Sequence, residues 1–323
     1  MAGWLGRRVL QAVLTFAAAV LILFLLMRVS PGDPLGRIDE APLTPEEAAV
    51  LRERYGLDRP FLAQLRDFAA GLTRGDLGIS IGHYPIPVRT LLRARLPATL
   101  LLGGAVLLVN FTLGVWLGVL QARHRGRPLD RWLTRLSLAG YAMPSFWVAI
   151  ILIAVASLRW RLFPAGGMHD PLLPDDASFL TRQVDLVRHL ILPVVTLSVV
   201  TLAGTMRYQR TAMLQVLRLE FVRAARARGL TERRVIWRHA WRNAVFPVLT
   251  LFGLWLPILV TGSVFVEYVF NWPGLGSLAA EAIAGRDYPL LMGTAMLATL
   301  VVVAGTLLTD VGYAVLDPRV REP

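Results

Sequence analysis

Six separate stretches of this sequence stay apolar for about 20 residues, the length a helix needs to cross the hydrocarbon layer of a bilayer. They cover 9–27, 98–120, 136–158, 190–206, 245–266 and 290–313. Lipid offers no partner to an unpaired backbone N–H or C=O, so apolar runs of this length are expected to be transmembrane helices. The expectation is an all-α membrane protein with six transmembrane helices. Arg7 and Arg8 precede the first run as they would in a secretory signal. The run is long, however, and Met27-Arg28-Val29-Ser30-Pro31 has no small-x-small cleavage pattern, so an uncleaved anchor is expected.

Composition agrees with the spans. Of 323 residues, 55% are hydrophobic and 17% charged, against about 25% charged in an ordinary soluble domain. The net charge of +12 would suit a nucleic-acid binder, but the arginines gather between the apolar runs, where membrane topology puts positive charge. No nucleic-acid partner is expected; membrane lipid is. Cysteine is absent, so no disulfide or thiolate metal site can form. Lysine is absent too, which excludes a phosphate-binding loop of the form ending in Lys-Ser/Thr.

Arginine retained on the cytoplasmic side sets the orientation. Residues 123–135 hold five arginines and one aspartate, and 207–242 hold ten arginines and two glutamates, so both are expected inside. Residues 29–96 balance nine arginines with nine acids, and 159–189 balance four with four, so both are expected outside. With six spans, both termini are then cytoplasmic. Three regions follow: 1–95, the first helix and an outer-face segment; 96–316, a five-helix core with a loop at about 207–243; and 317–323, a cytoplasmic tail. Within the outer segment, Thr44 followed by Pro45, Glu46 and Glu47 has the pattern of a capped helix start, and small surface helices are expected there.

The loop between the fourth and fifth spans holds the most specific pattern, Glu220-Phe221-Val222-Arg223-Ala224-Ala225-Arg226-Ala227-Arg228-Gly229-Leu230-Thr231-Glu232. It predicts two short helices broken at Gly229. Glycine can end the first in a left-handed conformation, and Thr231 can cap the second by accepting a backbone N–H bond. Ala224, Ala225 and Ala227 are expected to leave a side-chain-poor surface that a partner groove can close on, flanked by arginines able to pair with acids.

Two alanines, a glycine and a later proline, here Ala224, Ala225, Gly229 and Pro247, resemble the signature loop of binding-protein-dependent ABC importer permeases. The long glycine-to-proline interval is similar to the peptide and nickel branch. One departure is that Arg223 stands where the family's motif acid would be, with Glu220 one turn earlier. Further landmarks, among them Ser30-Pro31-Gly32-Asp33-Pro34, Gly75-Asp76-Leu77-Gly78, Pro144-Ser145-Phe146-Trp147, Asn271-Trp272-Pro273-Gly274 and Asp317-Pro318-Arg319, resemble the B-type subunit of dipeptide and oligopeptide permeases, in order along nearly the whole chain.

The resemblance implies a type I ABC importer permease fold in the cytoplasmic membrane of a bacterium or archaeon, and import of peptides, with nickel or another small solute as the alternative. It implies no chemistry and no cofactor on this chain. ATP and magnesium would be used by two ATPase subunits or domains. Other implied partners are a homologous second permease, forming a heterodimer, and an extracytoplasmic solute-binding protein. The ATPase-coupling residues would be Glu220, Arg223, Ala224, Ala225, Arg226, Ala227, Arg228, Gly229 and Leu230.

Ser145, Trp147 and Glu267 are candidates for the translocation pathway. Glu267 is a costly carboxylate near the outer end of the fifth span, and capping of the outer loop is its other reading. Asn110, Gly114 and Gly118 are expected to serve helix packing. A stand-alone channel or carrier would place several ionisable groups in mid-membrane, and an intramembrane enzyme would want paired carboxylates, a Ser-His set or HExxH in the spans; neither pattern is present in the sequence. The five histidines lack i, i+4 metal spacing.

Overall fold

In the computed structural model, residues 2–29, 59–248 and 264–316 are described, with isolated positions between 44 and 53. Helix is the regular structure of these parts, joined by turns and loops, with one isolated antiparallel bridge between Ile79 and Pro87.

The first helix, α1 (Ala2–Val29), is almost wholly exposed, as a lipid-facing helix should be. It lies along the last helix, α11 (Tyr288–Leu316), fastened by an Arg8–Asp310 ion pair at 3.3 Å. Its far end meets α2 (Phe61–Thr73) through Phe24, whose ring lies 5.7 Å from that of Phe61 and 5.3 Å from that of Phe68. The helix start expected after Thr44 falls largely outside the described residues.

Two helices dominate the core. α3 (Val88–Arg123) contains a wider π turn at Asn110–Gly114, and α6 (Phe179–Val216) is 38 residues long. At 1.5 Å per residue each is over ~50 Å long, more than the ~30 Å hydrocarbon layer, so both carry structure beyond the membrane. They run parallel and touch closely along one stripe. A Cβ at Gly114 would lie 3.1 Å from Thr205, and one at Gly118 would lie 2.7 Å from the Met206 carbonyl oxygen. The glycine pair thus serves close helix approach, as its spacing predicts. Asn110 and Gln209 are fully buried on these helices, and their side-chain N and O atoms make no hydrogen bond among the described residues.

The third apolar stretch is a correction. It is not one straight helix: α4 (Pro128–Ala142) and α5 (Ser145–Arg159) meet at an angle of 102°. Pro144 is the cause, because a proline drives its predecessor out of helical conformation, and Met143 sits at φ −82°, ψ 131°. α4 packs on α6 where Gly140 faces the Val199 carbonyl, 2.8 Å from a would-be Cβ.

Among the described residues, four helices are long and apolar enough to cross a bilayer, and the bent α4–α5 pair makes a fifth if it is one span. The fifth expected stretch, 245–266, lies mostly outside the described residues. Two short helices complete the end of the bundle away from the 220–244 loop: α9 (Val264–Val269) and the apolar α10 (Leu275–Ala284). The loop after α6 forms α7 (Glu220–Ala227) and α8, which is built of Glu232–Arg234, a π segment Val235–Ala240, and Trp241–Ala244.

Candidate functional site

The 220–244 loop is a helical elbow with an inner and an outer face. Along α7, Val222 and Ala225 point inward, one turn apart, into a cluster with Val119 and Ala122 of α3, Ala212 and Met213 of α6, and Val235, Ile236, Ala240 and Ala244 of α8. Ala225 therefore does not belong to the open surface, contrary to the sequence expectation. At about 100° per residue only part of an alanine run can face outward, and Val222 fixes which part goes in. Ala224 and Ala227 are exposed.

Gly229 adopts φ +76° and closes α7 in a Schellman arrangement: its N–H donates to the Arg226 carbonyl at 2.9 Å, and that of Leu230 to the Ala225 carbonyl at 3.4 Å. Leu230 packs on the same apolar cluster. Thr231 stands at the N-cap of α8, but its side chain accepts no capping bond, a further correction. The turn is held instead by a side-chain fork. Arg226 donates to both carboxylate oxygens of Glu232, at 3.2 and 2.8 Å, and this bonding, more than the attraction of charge, holds the Glu232 carboxyl below the usual carboxylate range. Arg226 is thus a brace within the elbow. Glu220 pairs with Arg223 at 2.9 Å on the exposed side.

The outer face then consists of Glu220, Phe221, Arg223, Ala224, Ala227 and Arg228, all exposed. Phe221 was not among the residues singled out from sequence. It is 41% exposed and shares a face with Ala224, three residues on. The available signal was an aromatic side chain in an otherwise charged and alanine-rich helix, a residue with no reason to be open to water. Behind the elbow, Arg210 of α6 forms a two-bond fork with the buried Asp130 of α4, at 2.9 and 3.0 Å, and Asp130 also accepts the Gly126 N–H. The elbow and the adjoining ends of α3, α4 and α6 are consequently one packed body.

At the other end of these helices, Glu267 of α9 is fully buried. Its carboxylate accepts bonds from Thr99 Oγ1 of α3 at 3.0 Å and from the Gly276 and Ser277 N–H groups at 2.7 and 3.2 Å. Those amides open α10, so the carboxylate ties three elements and caps a helix N-terminus. Glycine at 274 and 276 makes room, since a Cβ at either would collide with the carboxylate. Nearby, Asp287 accepts from Ser80 Oγ, the Gly82 N–H and the Leu290 N–H, fixing the 76–87 loop to the start of α11. Of the other pathway candidates, Ser145 is half-buried at the first turn of α5 and Trp147 is exposed. α9 packs against α5 through Val266, near Ala149.

Residues 114–322 match the model of the family described as binding-protein-dependent transport system inner membrane component. The chain is 37% identical over 321 residues to the oligopeptide transport system permease protein AppB of Bacillus subtilis (strain 168), covering 99% of this chain and 100% of that protein. It is 37% identical to the dipeptide transport system permease protein DppB of Escherichia coli (strain K12), covering 98% and 97%. With the di/tripeptide transport system permease protein DppB of Pseudomonas aeruginosa (strain UCBPP-PA14) the identity is 38%, covering 99% of both. A family match over most of the chain, together with relatives aligned from end to end, establishes that this protein belongs to the binding-protein-dependent transport system inner membrane components.

Proposed function

We propose that this chain is the permease subunit of an ATP-driven peptide importer, and that the elbow at 220–230 is where a separate ATPase engages it. The observation that carries the coupling role is the elbow's two-sidedness. Its inner face is welded to α3 and α6, while its outer face presents Phe221 and Ala224 beside exposed charges. A partner pushing on α7 moves the packed helix ends with it, and such a push shifts the permease between states only through contacts that differ between them. The relatives, each named as a peptide transport permease, support the choice of cargo.

In this reading six spans place both termini in the cytoplasm, and a homologous permease completes the pathway as a heterodimer. Two ATPase subunits or domains use ATP and magnesium, and an extracytoplasmic binding protein delivers solute. Glu267 holds the outer end together, and selection of cargo rests mainly with the binding protein. The test is uptake in vesicles holding the purified complex, with ATP inside and the binding protein outside. Labelled dipeptides and oligopeptides should enter only with ATP and should compete with one another. Uptake of nickel in their place would replace the peptide reading with the metal one.

A further inference from the structure

The chain leaving α5 and the first half of α6 enclose an open cavity of about 410 Å³, lined by Arg161, Asp170, Asp185, Arg188 and His189 among others. Its size falls within the range of small-molecule sites, about 300–1,000 Å³. One wall is firmly held. The Gly167 N–H donates to the Phe270 carbonyl at 2.7 Å, and Gly166 lies so close to that carbonyl that a Cβ could not be added. Arg161 takes φ +51°, a left-handed conformation that residues with a Cβ rarely adopt.

The charges in this cavity are unevenly engaged. Asp185 is occupied: its two oxygens lie 3.2 Å from His189 Nδ1 and from His169 Nδ1, and it also accepts the Asp170 N–H at 3.1 Å. His189 is 6% exposed and forms the buried part of the lining. Arg188, by contrast, makes one long bond, 3.4 Å, to the Leu162 carbonyl, and Arg161 forms no ion pair among the described residues. Asp170 spends one carboxylate oxygen on the Leu172 N–H. Two guanidinium groups thus stand without a carboxylate, with a partly engaged carboxylate beside them, in a cavity whose formal charges sum to zero.

We infer that this cavity is a subsite for the charged ends of a small zwitterion, in the peptide reading a short peptide, with Arg161 and Arg188 taking the carboxylate and Asp170 the α-ammonium. Arginine suits the first role because its planar fork matches a carboxylate in two parallel bonds. The inference rests on the proposed peptide cargo and deepens it by giving the permease its own contact with the cargo, apart from the binding protein.

The experiment uses the assembled complex in nanodiscs of zwitterionic lipid, without binding protein, and measures binding of labelled alanyl-alanine at millimolar concentration. Saturable binding is expected, at least tenfold weaker for the C-terminally amidated dipeptide and in Arg161→Gln and Arg188→Gln. Arg188→Lys should recover part of the loss. N-acetylation should weaken binding in the parent and cost nothing further in Asp170→Asn. Equal binding of free and amidated dipeptide, or parental binding by both arginine variants, would overturn the assignment. So would variants that lose only the docking of the binding protein, since the arginines would then serve that protein's acids. Parent complexes that import peptide while these variants bind as the parent does would leave the proposed function standing and remove the subsite; parent complexes that import no peptide would remove the function itself.

Discussion

Gly229 carries the sharpest backbone constraint in the elbow, because φ +76° is open to glycine and costly to residues with a Cβ. No atom crowds its would-be Cβ, so Gly229→Ala should cost only the conformational term, about 1–2 kcal/mol. Gly229→Pro should abolish the turn, since proline fixes φ near −65°. Hydrogen exchange across 220–240 measures both, and equal protection in parent and proline variant would contradict this account. The Arg226–Glu232 fork gives a pH test. A carboxyl whose folded pKa is lowered adds stability above its unfolded value, about 4.3, and that stability is lost as pH falls through the lowered folded value. Protection of the elbow amides, taken relative to their intrinsic exchange at each pH, should therefore fall on acidification through this window in the parent and much less in Arg226→Gln. Because both side chains are about half exposed, added salt should shrink the effect. Gly229 was legible in the sequence as a helix stop. The division of alanines between inner and outer faces was not, because it depends on Val222 meeting α3 and α6, a tertiary fact.

Among the elements, the contact of α3 with α6 orders three glycines by what a methyl group would meet. Gly118→Ala should destabilise most, since it drives a Cβ to 2.7 Å from a backbone carbonyl that cannot move aside. Gly114→Ala should cost less, its neighbours being side chains at 3.1 to 3.2 Å, and Gly104→Ala, with nothing within 4 Å, should cost nothing or stabilise α3 slightly. Thermal unfolding of the purified complex gives the order, and a Gly104 effect as large as that of Gly118 would contradict the packing. Gln209→Met is expected to be neutral or stabilising, because it removes buried polar atoms that have no hydrogen-bond partner among the described residues. The Gly114–Gly118 spacing announced this contact, whereas the 102° bend between α4 and α5 was hidden inside an apolar run. Hydropathy counts length and not direction, and Pro144 alone held the warning. Glu267 was visible as an expensive carboxylate, but its donors lie at Thr99 and at the start of α10, separations no local pattern spans. Glu267→Gln should lower the uptake rate while leaving the order of preferred peptides unchanged, which a substrate panel can read; a reordered panel would place this carboxylate in the pathway.

For the molecule as a whole, the arginine asymmetry predicts that residue 228 and both termini face the cytoplasm. The chain has no native cysteine, so single introduced cysteines report this cleanly: Arg228→Cys should resist an impermeant reagent in intact cells and react once the membrane is opened. The central claim is that the elbow transmits ATPase motion, and it is tested most directly on its exposed face. Ala224→Trp overfills that face without touching the inner cluster, whereas Ala225→Trp would disrupt the cluster and confuse contact with folding. Stimulation of ATPase activity by substrate and binding protein should be measured together with uptake, in vesicles holding equal amounts of assembled parent and Ala224→Trp complex. The account predicts that both fall at least tenfold in the variant while its unfolding temperature matches the parent's. Stimulation and uptake at parental levels would show that α7 is not the transmitting contact.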